Sequence, residues 1–87
     1  MDSAPAPRYL RRMEFDDDYD ASGLICPMPV LKARKRLLAL RPGQVLRLTA
    51  TDPVAIIDIP HFCTETGAEL LSMQDDGSAQ IYFIRKH

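Results

Sequence analysis

Residues 27–40, PMPVLKARKRLLAL, carry apolar side chains at Val30, Ala33, Leu37 and Leu40, spaced three and four apart, with Leu31 and Leu38 beside them. That repeat is one face of an α-helix. Lys32, Lys35 and Arg36 fall on the opposite face. Pro27 is tolerated because it stands in the first turn. Pro42-Gly43 ends the segment, with Arg41 near the negative end of the helix dipole. A helix with one apolar stripe has to bury it against a second layer, and the chain supplies one.

Residues 45–51 alternate and are rich in β-formers, which predicts a strand. Asp52-Pro53 is a helix start, a side-chain acceptor followed by a proline. Because Pro60 does not fit deep in a regular helix, the spacing predicts a short helical turn over 53–57. A second helix then starts with Asp58 as its cap and Pro60 in its first turn, and Gly67 closes it. Residues 68–74 and 79–86 read as strands joined by the turn Asp75-Asp76-Gly77-Ser78. A further short strand over 15–20 has poor propensity because of its aspartates. The order β-α-β-α-β-β predicts an α/β two-layer sandwich with both helices on one face of the sheet. At 87 residues this is one domain. Its expected extent is 14–87, behind a flexible leader over 1–13 that contains Pro5 and Pro7.

The net charge of −1 hides an uneven distribution. Residues 21–47 hold six basic side chains and no acidic one, between segments of net −3 and −4. Lys32, Lys35, Arg36 and Arg41 are therefore either a solvated helix face or a docking face for an acidic partner. A strongly basic nucleic-acid binder is not indicated. The neighbours Tyr82-Phe83 lie on a strand, where one of the two must face the core, and no motif interleaves them with Lys or Arg. No apolar run reaches the ~20 residues of a membrane helix. The order basic-then-apolar of a secretory signal is missing from the first residues, so a cytoplasmic location is expected.

The two cysteines, Cys26 and Cys63, are too few for a disulfide-stapled secreted domain. His61 and Cys63 do not complete a tetrahedral metal site, and no cofactor is indicated. Cys63 reads as a small buried apolar residue.

Cys26-Pro27-Met28-Pro29-Val30 is the stretch that carries chemistry. Proline after Cys26 pushes the cysteine out of helical geometry, toward the conformation of an N-cap residue. Its sulfur then lies where the free N–H groups of the first turn point, and a thiolate there has a lowered pKa. Pro27 and Pro29 carry no N–H, which leaves the Met28 and Val30 amides as donors to the sulfur. Lys32 and Arg36 add positive potential if they reach back. The sulfur is thus polarised without being enclosed, and the prolines fix its aim. Dithiol cycling at this turn is ruled out because Pro29 stands where a resolving cysteine would. A cysteine hydrolase would need a base, and nothing in the sequence orients His61 as one.

Asp20-Ala21-Ser22-Gly23-Leu24 leading into this stretch, then Lys32, resembles the TusA/SirA-like sulfur-carrier family. Thr51-Asp52-Pro53, Asp58-Ile59-Pro60 and Phe62-Cys63 form a second match. The resemblance covers about residues 20–85. It implies a mixed four-stranded sheet. It also implies that Cys26 accepts sulfane sulfur as a persulfide and passes it to a partner protein, with Pro27, Met28, Pro29, Val30 and Asp58 shaping the site. The implied donors are a cysteine desulfurase or a rhodanese-like protein. The implied fates are wobble-uridine thiolation of tRNA, molybdenum-cofactor assembly and sulfur metabolism. Met28 departs from the Glu or Leu usual in the family. The rival readings are a regulatory or adaptor domain in which Cys26 is structural, and a small redox or nucleic-acid domain.

Overall fold

The strand expected over 45–51 forms as β2 (Val45–Ala50), and its alternation decides where the core lies. Leu46, Leu48 and Ala50 point to one face, and their partners Ile84, Tyr82 and Gln80 on β4 (Gln80–Arg85) point the same way. The computed structural model describes residues 14–87, so the leader expected over 1–13 lies outside the described residues. The other elements are β1 (Asp17–Ala21), α1 (Met28–Leu38), α2 (Ala55–Thr66) and β3 (Glu69–Asp75). Strand order is β1-β2-β4-β3, with β1 parallel to β2 and the remaining pairs antiparallel. This is the mixed four-stranded sheet of a two-layer α/β sandwich. Both helices cover the face that carries Leu46, Leu48, Tyr82 and Ile84. Ala33 and Leu37 of α1 and Ala55, Ile59, Phe62 and Cys63 of α2 complete the core.

Tyr82 and Phe83 divide as their neighbouring positions require. Tyr82 is buried under the helices, where its hydroxyl donates to Gln80 Oε1 at 3.1 Å. Phe83 is buried on the opposite face, its ring 6.3 Å from that of Phe15.

Two of the three aspartates that weaken β1 as an isolated strand, Asp17 and Asp18, are neutralised by arginines of other elements. Asp17 accepts two bonds from Arg36 Nη1, at 2.8 and 3.0 Å, and the same guanidinium lies 4.6 Å from the Tyr19 ring centroid. Asp18 stands opposite Arg47 in the ladder and accepts from it at 3.1 and 2.8 Å. The Arg47 side chain holds the Asp18 carboxyl below the usual carboxylate range.

The second helix differs from expectation. A single helix runs through Pro60, and Asp58 lies within it rather than capping it. The start is set earlier, because Asp52 Oδ1 accepts the Val54 amide at 3.1 Å. Tight i→i−3 bonds then follow from Ala55 to Asp52, Ile56 to Pro53 and Ile57 to Val54. Pro60 forfeits one intrahelical bond, which costs about 3 kcal/mol in an isolated helix. Burial of Ala55, Ile59, Phe62 and Cys63 along one stripe offsets that loss. Gly67, at φ 80°, ends the helix in the left-handed conformation, and its amide bonds to the Cys63 carbonyl.

Among the described residues no helix is long and apolar enough to cross a membrane.

Candidate functional site

Cys26 sits on the loop that joins β1 to α1, and three anchors hold that loop. The Leu24 amide donates to the Ala21 carbonyl at 3.1 Å, and the Gly23 amide to Thr51 Oγ1 at 2.8 Å. The Cys26 amide donates to Asp52 Oδ2 at 2.7 Å. Thr51 and Asp52 follow β2 directly, so the parallel pairing of β1 with β2 brings the two loops side by side. Asp52 is buried, and its two oxygens serve separate tasks: one accepts the Val54 amide just ahead of α2, the other fixes the cysteine backbone.

The sulfur itself is exposed. Its hydrogen is donated to Asp58 Oδ2 at 3.1 Å. Asp58 therefore stands beside the sulfur, reaching across from the first turn of α2 to the start of α1. Pro27, Val30 and Arg34 on one side and Asp58, His61, Phe62 and Glu65 on the other line a groove of about 180 Å³. The Arg34 guanidinium lies 5.3 Å from the Phe62 ring centroid. His61 Nε2 and Glu65 Oε2 are 3.2 Å apart, a pairing within α2. Two exposed isoleucines adjoin this chemistry, Ile25 before the cysteine at 70% exposure and Ile57 before Asp58 at 72%.

Three expectations about the sulfur are corrected. First, the N-cap of α1 is Pro27, and Cys26 lies one residue outside it. The Met28 amide donates to the Ile25 carbonyl at 2.8 Å, so a turn precedes the helix and carries Cys26 out of the cap position. Second, that same bond occupies the Met28 amide, which is therefore not a donor to the sulfur. Third, the thiol is shifted up from its ordinary value, not down. The hydrogen bond to Asp58 is the largest cause, followed by desolvation and the negative charges of Asp58 and Asp52. The resting side chain is a thiol.

Of the basic residues expected to act near the sulfur, Arg36 is committed to Asp17 and Tyr19. Among the described residues neither Lys32 nor Lys35 is ion-paired. Pro29 is buried in the first turn of α1, Met28 and Val30 are partly buried, and Pro27 is exposed. Cys63 is buried in the core beside Ile59 and Phe62, where desolvation pushes its thiol up to about 11. It is not presented as a resolving thiol.

Fold and site together define a small α/β sandwich that presents one exposed thiol on a proline-bounded turn. The family model described as Sulfurtransferase TusA matches residues 17–86. A sulfur carrier protein TusA of Allochromatium vinosum is 44% identical over 73 residues, which is 84% of this chain and 96% of that protein. One of Pseudomonas entomophila is 45% identical over 71 residues, 82% of this chain and 89% of its own length. The crystal structure of a SirA-like protein from Desulfitobacterium hafniense superposes with a TM-score of 0.71 at 22% identity, over 80% of this chain and 96% of that one, a likeness of fold. The chain belongs to the TusA sulfurtransferase family.

Proposed function

We propose that this protein is a sulfur carrier in which Cys26 receives a sulfane sulfur from a donor protein and delivers it to an acceptor. The observation that carries the reading is the open position of the Cys26 sulfur on a turn fixed through its backbone to Asp52. A sulfur passed between proteins needs exposure and a fixed aim more than it needs a deep pocket.

Loading is a displacement at sulfur. The Cys26 sulfur, having lost its proton, attacks the outer sulfur of the donor's persulfide. The new S–S bond forms as the donor's S–S bond breaks, and the departing donor thiolate takes up a proton. Delivery repeats the step with the roles exchanged, so no external oxidant or reductant is consumed. Pro27 and Pro29 restrict the turn. Lys32 and Lys35, together with Arg36 where it remains accessible, offer a positive face to partners.

By family resemblance the donor is a cysteine desulfurase or a rhodanese-like protein. The acceptor is a downstream protein of tRNA thiolation, molybdenum-cofactor assembly or a sulfur-metabolism relay, in the cytoplasm. The rival reading is an adaptor domain, which takes its support from the hydrogen bond that holds the Cys26 thiol to Asp58. Radiolabelled cysteine with a purified cysteine desulfurase separates the two. The carrier reading expects label to move onto this chain and leave it on addition of reductant. The adaptor reading expects no label, and partner binding unchanged in Cys26→Ala.

A further inference from the structure

Resting on the carrier reading, we propose that Asp58 is a charge-sensing positioning residue. It holds the Cys26 side chain while the sulfur is a neutral thiol and rejects it once the side chain carries a persulfide anion. The load then turns the outer sulfur away from Asp58 and toward the partner.

The argument starts from the hydrogen bond between Sγ and Asp58 Oδ2 at 3.1 Å. That bond requires a proton on the sulfur. When an outer sulfur is added, Sγ becomes the inner atom of an S–S bond and has no hydrogen to donate. The outer S–H is more acidic than the thiol it replaces, because its conjugate charge rests on a sulfur bonded to sulfur. At neutral pH the loaded side chain is therefore an anion facing a carboxylate, and attraction becomes repulsion.

The charges that act on the Cys26 sulfur are those of two carboxylates, Asp58 and Asp52. Asp52 adds a second carboxylate from the loop before α2, and it is fixed there by the Cys26 and Val54 amides. On α2, His61 is paired with Glu65. On α1, Arg36 is held by Asp17, while Arg34 keeps its charge over the Phe62 ring, and among the described residues neither it, Lys32 nor Lys35 bonds to the sulfur. The backbone does not follow the side chain, since the Cys26 amide is tied to Asp52. The response is left to rotation about the Cα–Cβ and Cβ–Sγ bonds. It carries the sulfur from Asp58 into open solvent beside Ile25.

The device gives the two states opposite behaviour. The empty thiol is held protonated and is a weak nucleophile, which limits stray oxidation and recapture of delivered sulfur. The loaded sulfur is presented outward. Asp58→Asn separates the two effects, because an amide removes the negative charge and also offers N–H donors to an anion.

The test follows iodoacetamide alkylation of the empty protein against pH, and cyanolysis of the persulfidated protein to thiocyanate, in wild type, Asp58→Asn and Asp58→Ala. In Asp58→Asn the alkylation midpoint is expected to fall and the rate at neutral pH to rise about tenfold. Cyanolysis of the same variant is expected to slow several-fold, because the amide retains the anion. Asp58→Ala should show the faster alkylation, with cyanolysis slower than wild type and faster than in Asp58→Asn, because it removes the repulsion without supplying a donor, and it provides the answer if the Asn variant misfolds. Midpoints that coincide across the three proteins, or alkylation and cyanolysis rates of Asp58→Asn that move in the same direction, overturn the role of Asp58 alone. A wild type that cannot be persulfidated overturns the carrier reading, and this inference with it.

Discussion

The Cys26 amide donates to Asp52 Oδ2 at 2.7 Å, across 26 positions of sequence. The buried carboxylate at the start of α2 is thereby also the one that fixes the backbone from which the Cys26 sulfur projects. Removing it should disturb stability and aim together. Asp52→Ala leaves the Cys26 and Val54 amides without their acceptor, at an expected cost of about 2–3 kcal/mol. Asp52→Asn, which can keep the acceptor oxygens in part, should lose less. Urea unfolding checks this, and a loss under about 0.5 kcal/mol in the Ala variant contradicts the assignment.

Cys26 and Cys63 should differ sharply toward thiol reagents. Cys26 is exposed, whereas Cys63 is buried with its thiol pushed up to about 11. Under native conditions at pH 8, intact mass after alkylation should show one adduct, located on Cys26, and a second only after denaturation. Comparable native labelling of both would contradict the packing of α2 on the sheet.

Stability should fall on the alkaline side. Burial raises the folded-state Cys63 thiol from 9.0 to about 11 and the Tyr82 hydroxyl from 10.0 to about 12. Between each pair of values the unfolded chain has released a proton that the folded chain keeps, so unfolding gains as pH rises. The protection is complete below pH 9 and is lost progressively between 9 and 12. Each group accounts for of order 3 kcal/mol at most. Unfolding free energies measured from pH 8 to 11 should decline, and the decline should be shallower in Cys63→Ala once its own lower baseline is subtracted. A flat profile across that range would contradict the burial of both groups.

The basic residues of α1 should separate by task. Arg36→Ala removes two bonds to Asp17 and the contact with the Tyr19 ring, so it should cost about 1–2 kcal/mol of stability. Reversing Lys32 and Lys35 to Glu should leave stability within about 0.5 kcal/mol, as for other surface changes. It should slow loading from an acidic donor several-fold at low ionic strength, and added salt should narrow the gap. Equal loading rates with and without the reversal would remove these lysines from the docking face.

Much of the architecture is legible in the sequence because its periodicities are local. The helix at 27–40 and the strands at 45–51 and 79–86 each carry their own pattern, and all three form with ends shifted by one or two residues. The element that departs from expectation is α2, where burial of the stripe Ala55, Ile59, Phe62 and Cys63 outweighs the break at Pro60. That stripe runs through the proline without a break, and it was the signal for a single helix. The site is legible in its residues and not in its electrostatics. The proline spacing singles out Cys26, but the bond to Asp58 joins residues 32 positions apart and depends on how α2 lies against α1. The direction of the thiol shift follows from that tertiary contact, so a local argument from the helix dipole predicted the opposite sign. Asp17 and Asp18 of β1 make the same point, since Arg36 and Arg47 that neutralise them come from other elements.

The central claim is that sulfur travels on Cys26. Intact mass spectrometry after incubation with a cysteine desulfurase and cysteine, followed by peptide mapping, tests it most directly. The account predicts the mass of one additional sulfur atom on the peptide containing Cys26, removed by reductant and absent from Cys26→Ser. A wild type that gains no sulfur, or a Cys26→Ser variant that gains it equally, would contradict the account.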